Sequence, residues 1–101
     1  MKAYEIMYII SPSEEETAEA DNQKAGVVAA KYSMLIADNG GRCEKVDVWG
    51  KKQLAYCLQD NAFGIYTLIT FFANSACIKE LDRKMLLDEE VLRHMIISKG
   101  E

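Results

Sequence analysis

Along this chain the spacing of apolar residues switches between a repeat of two and a helical repeat near 3.6, and the order of the switches restricts the folds open to it. Residues 2–10, KAYEIMYII, read as a strand, with Tyr4, Ile6, Tyr8 and Ile10 on one face and Ala3, Glu5, Met7 and Ile9 on the other. Charge enters only at Lys2 and Glu5, so this strand is expected at the centre of a sheet or under a partner on its second side. Residues 42–49, RCEKVDVW, alternate again. Cys43, Lys45, Asp47 and Trp49 are assigned to one side, and Glu44, Val46 and Val48 to the other. Gly50 interrupts as a bulge or bend, and residues 51–58 resume an extended course. QDNAFG at 59–64 reads as a turn, IYTLITFFA at 65–73 as a third strand, and VLRHMIIS at 91–98 as a fourth. The second and third strands form a long hairpin.

Two helical segments separate these strands. Ser13 followed three residues later by Glu16 has capping-box spacing, Pro12 suits a first turn, and Glu14, Glu15 and Glu16 favour the positive end of a helix dipole. A helix is therefore expected to begin near residue 13. Its apolar stripe is Ala25, Val28, Tyr32 and Leu35, with Ile36 beside them. The preceding AEADNQKAG is polar and holds Gly26, which leaves either one long helix with a weak first half or a break within residues 21–26. Asn39, Gly40 and Gly41 supply a left-handed C-terminal cap. The second helix starts at Asn74 or Ser75, carries Ile78, Leu81 and Met85 as its stripe, and stops at the LDEE turn of residues 87–90.

The order β-α-β-β-α-β is that of the ferredoxin-like α+β fold, expected as one domain over residues 1–101. Its sheet has four antiparallel strands, with the first and third in the middle. Right-handed crossovers place both helices on one face. The other face has no helix. If Met7 lies on that face, alternation adds Arg93, Met95 and Ile97, and a patch of Met7, Ile9, Met95 and Ile97 calls for a protein partner or a second copy. The reverse assignment of the two faces is also open.

Chemistry-bearing constellations are scarce. The only histidine, His94, falls within a strand, so neither a nucleophile–base pair nor a two-histidine metal site is available. Cys43, Cys57 and Cys77 are odd in number and widely spaced, which suggests small buried hydrophobes in a reducing compartment. Gly40–Gly41 follow a helix, on the wrong side for a phosphate cradle. No enzyme activity, cofactor or metal is expected. No apolar run approaches the roughly 18 residues of a membrane span. The net charge of −4 argues against non-specific nucleic-acid binding but leaves room for a local basic patch. The stretch WGKKQLAYCL, residues 49–58, is such a patch. Lys2, Arg42, Lys45, Lys51, Lys52 and Arg93 interleave with Tyr4, Trp49 and Tyr56. The basic–Gly–aromatic signature of the RNA-recognition motif is missing, so phosphate contact is favoured over base stacking.

Three stretches carry a resemblance. KAYEIMYIISP, WGKKQLAYCL and LDEEVLRHMII resemble the family of bacterial ribosomal protein six of the small subunit, without gaps from Gly40 to Ile97. The resemblance implies a ferredoxin-like, non-enzymatic ribosomal protein in the cytoplasm. It implies binding to the central domain of small-subunit ribosomal RNA as a pair with ribosomal protein eighteen of the small subunit, a basic partner that an acidic chain complements. Carried over by position, Lys2, Tyr4 and Arg93 are expected at RNA, joined by Lys51 and Lys52. Glu5, Met7, Trp49 and Met95 are expected at the protein partner. Two departures stand out. Cys57 and Leu58 replace the Pro-Ile that usually follows Leu-Ala-Tyr, which restores an N–H donor and would let strand pairing continue. The segment between Pro12 and Gly40 is longer than the family's by about one to two helical turns. The rival reading is a small-molecule regulatory or enzymatic domain of the same fold, dimerising through its sheet face.

Overall fold

The computed structural model describes residues 1–99; the last two residues of the expected domain lie outside the described residues. The elements are β1 (Lys2–Ile10), α1 (Ala18–Asp38), β2 (Arg42–Leu58), β3 (Asn61–Ala73), α2 (Ser75–Leu87) and β4 (Val91–Ser98). The strands form one antiparallel sheet in the order β2-β3-β1-β4, so the first and third strands are central, as expected.

Both helices cover one face of this sheet. There Ile6, Tyr8 and Ile10 of β1 and Ile65, Thr67, Ile69, Phe71 and Ala73 of β3 are buried. They meet Ala25, Val28, Tyr32 and Ile36 of α1 and Cys77, Leu81 and Met85 of α2 in one cluster. Each large apolar side chain removed from water in this way contributes about 1.5–3 kcal/mol. Tyr4 stacks on Phe71 with ring centroids 5.8 Å apart, and Tyr8 tilts against Tyr32 at 5.8 Å.

The helix boundaries correct one expectation. α1 begins at Ala18, where extended Thr17 accepts the Ala20 N–H on its Oγ1 at 3.1 Å. Ser13 and Glu16 instead close a turn. The Glu16 N–H donates to the Ser13 carbonyl at 3.1 Å, and Glu16 takes a φ of 57°. The Ser13 N–H donates to Asp21 Oδ1 at 2.8 Å, so a carboxylate one turn into the helix reaches back to organise the loop. Glu19 and Asp21, not Glu14 to Glu16, occupy the first helical turn. α1 then runs unbroken through Gly26. It closes as read: Gly40 adopts a φ of 85°, and the Gly41 N–H donates to the Ile36 carbonyl at 2.8 Å. In α2, Asn74 Oδ1 caps the Cys77 N–H at 3.1 Å. The buried stripe is Cys77, Leu81 and Met85, with Ile78 partly buried beside it.

The β2–β3 hairpin differs most from its sequence reading. Asn61 already pairs with Leu58, so the turn is two residues, Gln59 and Asp60, with φ values of 49° and 67°. Left-handed conformation at both positions matches the twist of a two-residue hairpin, although neither residue is the usual Gly or Asn. β2 also carries irregularities that redistribute its side chains. The register skips Glu44, so Cys43 lies opposite Phe71 on the helix side while Lys45 lies opposite Thr70 on the other. Val46 and Val48 follow Cys43, opposite Ile69 and Thr67. Strict alternation had placed Cys43 with Lys45; one extra residue is enough to reverse that.

Candidate partner and nucleic-acid surface

The uncovered face of the sheet carries Glu5, Met7 and Ile9 of β1, with Ile97, Met95 and Arg93 of β4 opposite them in that order. On the other side of β1, Thr70, Leu68 and Tyr66 of β3 are their partners. The face bearing Met7 is therefore the open one. Met95 and Ile97, two positions apart on this face, are 54% and 46% exposed, an apolar pair with no helix over it. At one end the apolar strip meets paired charges: Lys99 Nζ lies 3.6 Å from Glu5 Oε2, and Lys45 Nζ 3.8 Å from Asp47 Oδ2. These groups surround a shallow depression with Glu44, Leu68 and Thr70.

The opposite end is partly roofed by the chain itself. Pairing of β2 with β3 passes from Gln53–Phe63 to Leu58–Asn61, so β2 uses five residue steps where β3 uses two. Residues 54–57, the LAYC of the sequence motif, arch out of the ladder; the continuous pairing expected from Cys57 does not occur. The arch lies on the open face. Leu54 Cδ2 stands 3.4 Å from where a Cβ on Gly64 would be, and the same Cβ would meet Ile9 Cγ2 at 2.3 Å. Only glycine permits this approach. Tyr56 completes the crossing: its hydroxyl accepts a hydrogen bond from Arg93 Nη1 at 3.0 Å, joining β2 to β4 across the two central strands. Ile9 is consequently buried although it points to the open face, and so it drops out of the expected exposed patch.

Comparison with known proteins agrees with this architecture. The family model described as "Ribosomal protein S6" matches residues 3–98. This chain belongs to the ribosomal protein six family. The small ribosomal subunit protein bS6 of Desulforamulus reducens is 40% identical over 101 residues, covering 100% of both chains. That of Nocardioides sp. is 42% identical over 98 residues, covering 96% of this chain and 95% of its own. The crystal structure of the 30S ribosomal protein S6 from Thermotoga maritima superimposes with a TM-score of 0.82 at 23% identity, over 97% of this chain and 87% of that one, a likeness of fold. Membership makes the chain a structural, non-enzymatic component of the small ribosomal subunit, and places it with cytoplasmic ribosomes.

On this ribosomal protein six scaffold, the five residues expected at RNA divide between the two ends of the sheet. Lys2 and Tyr4 lie at one end, opposite Ala73 and Phe71. Arg93, Lys51 and Lys52 lie at the other, opposite Ile9, Ile65 and Gly64. The separation along β1 is roughly 23 Å. Tyr4 is half-buried on the helix side against Phe71. Lys51 also turns to the helix side, because Trp49 is skipped in the pairing and shifts the register. Its Nζ is 3.9 Å from Asp21 Oδ2 and 5.3 Å from the Phe63 ring centroid. Lys2, Lys52 and Arg93 form no ion pair among the described residues, so their charges are free for an outside anion.

Of the residues expected at the protein partner, Glu5, Met7 and Met95 are contiguous. Trp49, exposed at the second β2 irregularity, lies two strands away. Tyr56, one of the aromatics interleaved with the basic residues of the sequence, is assigned there to neither RNA nor partner, and its hydrogen bond to Arg93 is a finding of the structure. Cys57 is exposed and Cys43 partly so, which leaves only Cys77 as the expected buried hydrophobe. His94 Nε2 sits 2.7 Å from Asp82 Oδ1 on the helix side.

A cleft of about 770 Å³ lies between α1 and the turn after α2. Its central polar group is already engaged. Asp88 Oδ2 accepts from Lys31 Nζ at 2.6 Å and from the Tyr32 hydroxyl at 2.6 Å, and Oδ1 accepts the Glu90 N–H at 3.0 Å. Burial alone would raise the Asp88 pKa, but these donors outweigh it and hold the carboxyl below its ordinary range. Burial first, and then the hydrogen bond to Asp88, push the Tyr32 phenol up. The described residues hold no cluster of metal-ligating side chains, and no described helix is long and apolar enough to cross a membrane.

Proposed function

We propose that the chain binds the central domain of small-subunit ribosomal RNA jointly with ribosomal protein eighteen of the small subunit, offering its open sheet face to the protein and its unpaired cations to phosphates. The observation that carries this is the open face itself: exposed Met95 and Ile97 beside Met7, with charged groups at both ends. An apolar strip with a polar rim has the anatomy of a protein interface, and the buried part of such a strip supplies its affinity. Net charge supports a shared task. At −4 the chain alone repels RNA, whereas a basic partner seated on Glu5 and its neighbours restores the positive balance that phosphate binding needs. Within that division Glu5, Met7 and Met95 meet the partner, with Trp49 at its edge. Lys2 at one end, with Tyr4 beside it, and Arg93 and Lys52 at the other, meet RNA; Lys51 joins them only by leaving Asp21 on the helix side.

The test is RNA binding in the partner's presence. Lys2→Ala and Arg93→Ala each weaken affinity and each flatten the salt dependence by about one unit of slope. An unchanged slope in both variants defeats the assignment. Sedimentation of the isolated chain bears on the rival reading, because a tight dimer closed through Met7 and Met95 would favour self-association over a heterologous partner.

A further inference from the structure

We infer that Tyr56 is a positioning residue for Arg93, and that the arch of residues 54–57 exists to deliver it; this rests on Arg93 contacting RNA. Arg93 stands on β4, an edge strand, with no ion pair among the described residues and a flexible stem of its own. Such a side chain loses considerable rotamer freedom when it docks on a phosphate. Here one N–H, on Nη1, is already engaged by the Tyr56 hydroxyl at 3.0 Å. The guanidinium has five N–H donors in a planar fork, so fixing one nitrogen orients the plane and leaves the others for a phosphate. Tyrosine suits this task better than a carboxylate: it orients the guanidinium without neutralising it.

The tyrosine is itself held from below. The residue is 62% exposed, so burial does not fix it. What fixes it is the backbone path: Leu54 lies over Gly64, and Gly64 lies on Ile9 at a distance that no other residue allows. Ile9 is the cross-strand partner of Arg93. The chain of contact therefore runs from the strand beneath Arg93 through the arch and back to the Arg93 side chain. A motif otherwise read as a basic hairpin is, in space, a strap that sets the aim of a cation two strands away.

A double-mutant cycle in the complex with ribosomal protein eighteen and the central-domain RNA fragment tests this. Tyr56→Phe removes only the hydroxyl at an exposed site, and equal thermal midpoints for the variant and parent chains verify that folding is untouched. Expected is an affinity loss of about three- to tenfold for Tyr56→Phe, with a shallower salt slope, and no further loss when it is added to Arg93→Ala. Leu54→Ala, which slackens the strap, should lose affinity in the same coupled way. If Arg93→Ala weakens binding while Tyr56→Phe does nothing, or adds independently, the positioning role is overturned and the RNA reading stands. If Arg93→Ala itself has no effect, both fall.

Discussion

The two faces of one sheet share the same strands and have opposite fates. On the helix side, Ile6, Tyr8, Ile69 and Phe71 have no exposure at all; on the other, Met95 and Ile97 stand about half in water. Local propensity cannot account for this, since both sets are apolar residues in the same extended backbone. The difference is the two helices, which fill one side and leave the other without cover. The central strands β1 and β3 are sealed by helices on one side, and the other side has no cover of its own beyond the arch of residues 54–57. Stability and binding should therefore separate cleanly by face.

The largest expected effect sharpens that separation. Phe71→Ala removes a fully buried ring that packs on Tyr4 and should cost about 3–5 kcal/mol in urea unfolding. Met95→Ala, on the exposed side, should cost under about 1 kcal/mol in the same experiment. In the binding assay the order reverses, with Met95→Ala weakening association with the protein partner. A Met95 variant as unstable as the Phe71 variant would break the comparison.

Gly64→Ala comes next, because it probes the one region where the open face is not open. A Cβ there would stand 2.3 Å from Ile9 Cγ2, and relieving that overlap means lifting the arch or displacing β1. The expected cost is about 1–3 kcal/mol by unfolding. Wild-type stability in this variant would mean that the arch is loosely held, and would remove the support claimed for Tyr56.

Much of the architecture was legible in the sequence, and the failures have physical causes. Element order, the central strands, a cap at Asn74 or Ser75 and the Gly40 terminus follow from period and cap chemistry, which act within a few residues. The start of α1 was misplaced because a turn closed by Ser13 and Glu16 has the same spacing as a capping box, and the decisive partner, Asp21, lies eight residues on. The faces of β2 were misread because the irregularities at Glu44 and Trp49 cost one residue each, and strict alternation has no way to signal a skipped position. The placement of Glu5, Met7, Arg93 and Met95 on one face follows from alternation along β1 and β4. The placement of Lys51 does not, because a shifted register turns it to the helix side. The contact of Tyr56 with Arg93 has no local signal, since the two are 37 residues apart in sequence and separated by two central strands.

A smaller effect is expected at the margin of the closed face, where Asp88 joins α1 to the turn before β4. Its carboxyl is held below its unfolded pKa near 3.9, mostly by donors that overcome the burial penalty. The sign follows: a depressed carboxyl adds stability that is fully present above the unfolded pKa and disappears as pH falls through the folded one. Unfolding free energy should thus drop on the acid side of about pH 4, and Asp88→Asn should flatten part of that slope while leaving RNA binding unchanged. An acid limb identical in the two proteins would show that Lys31 and Tyr32 add nothing through this group.

The smallest effect runs the other way and concerns a flaw in the better-packed face. The Tyr8 hydroxyl and Thr67 Oγ1 are buried on residues paired across β1 and β3; neither makes a well-formed hydrogen bond among the described residues, although Thr67 is near enough to pull the Tyr8 phenol down against the effect of burial. Burial pushes the Tyr8 phenol up to about 12, so the group stays neutral at any working pH and the cost is one of lost hydrogen bonds, not of charge. Thr67→Val keeps the β-branched shape and removes the orphaned hydroxyl. An unsatisfied buried hydroxyl costs about 1–3 kcal/mol, partly offset where neighbours adjust, so Thr67→Val should be neutral or raise stability by about 1 kcal/mol. The adjacent Val48, opposite Thr67 on β2 and 41% exposed, supplies a lipophilic neighbour for the new methyl. A clear loss of stability would mean that Thr67 Oγ1 and the Tyr8 hydroxyl satisfy each other in solution; the double variant Tyr8→Phe, Thr67→Val would then recover most of that loss, because removing both partners leaves neither one unpaired.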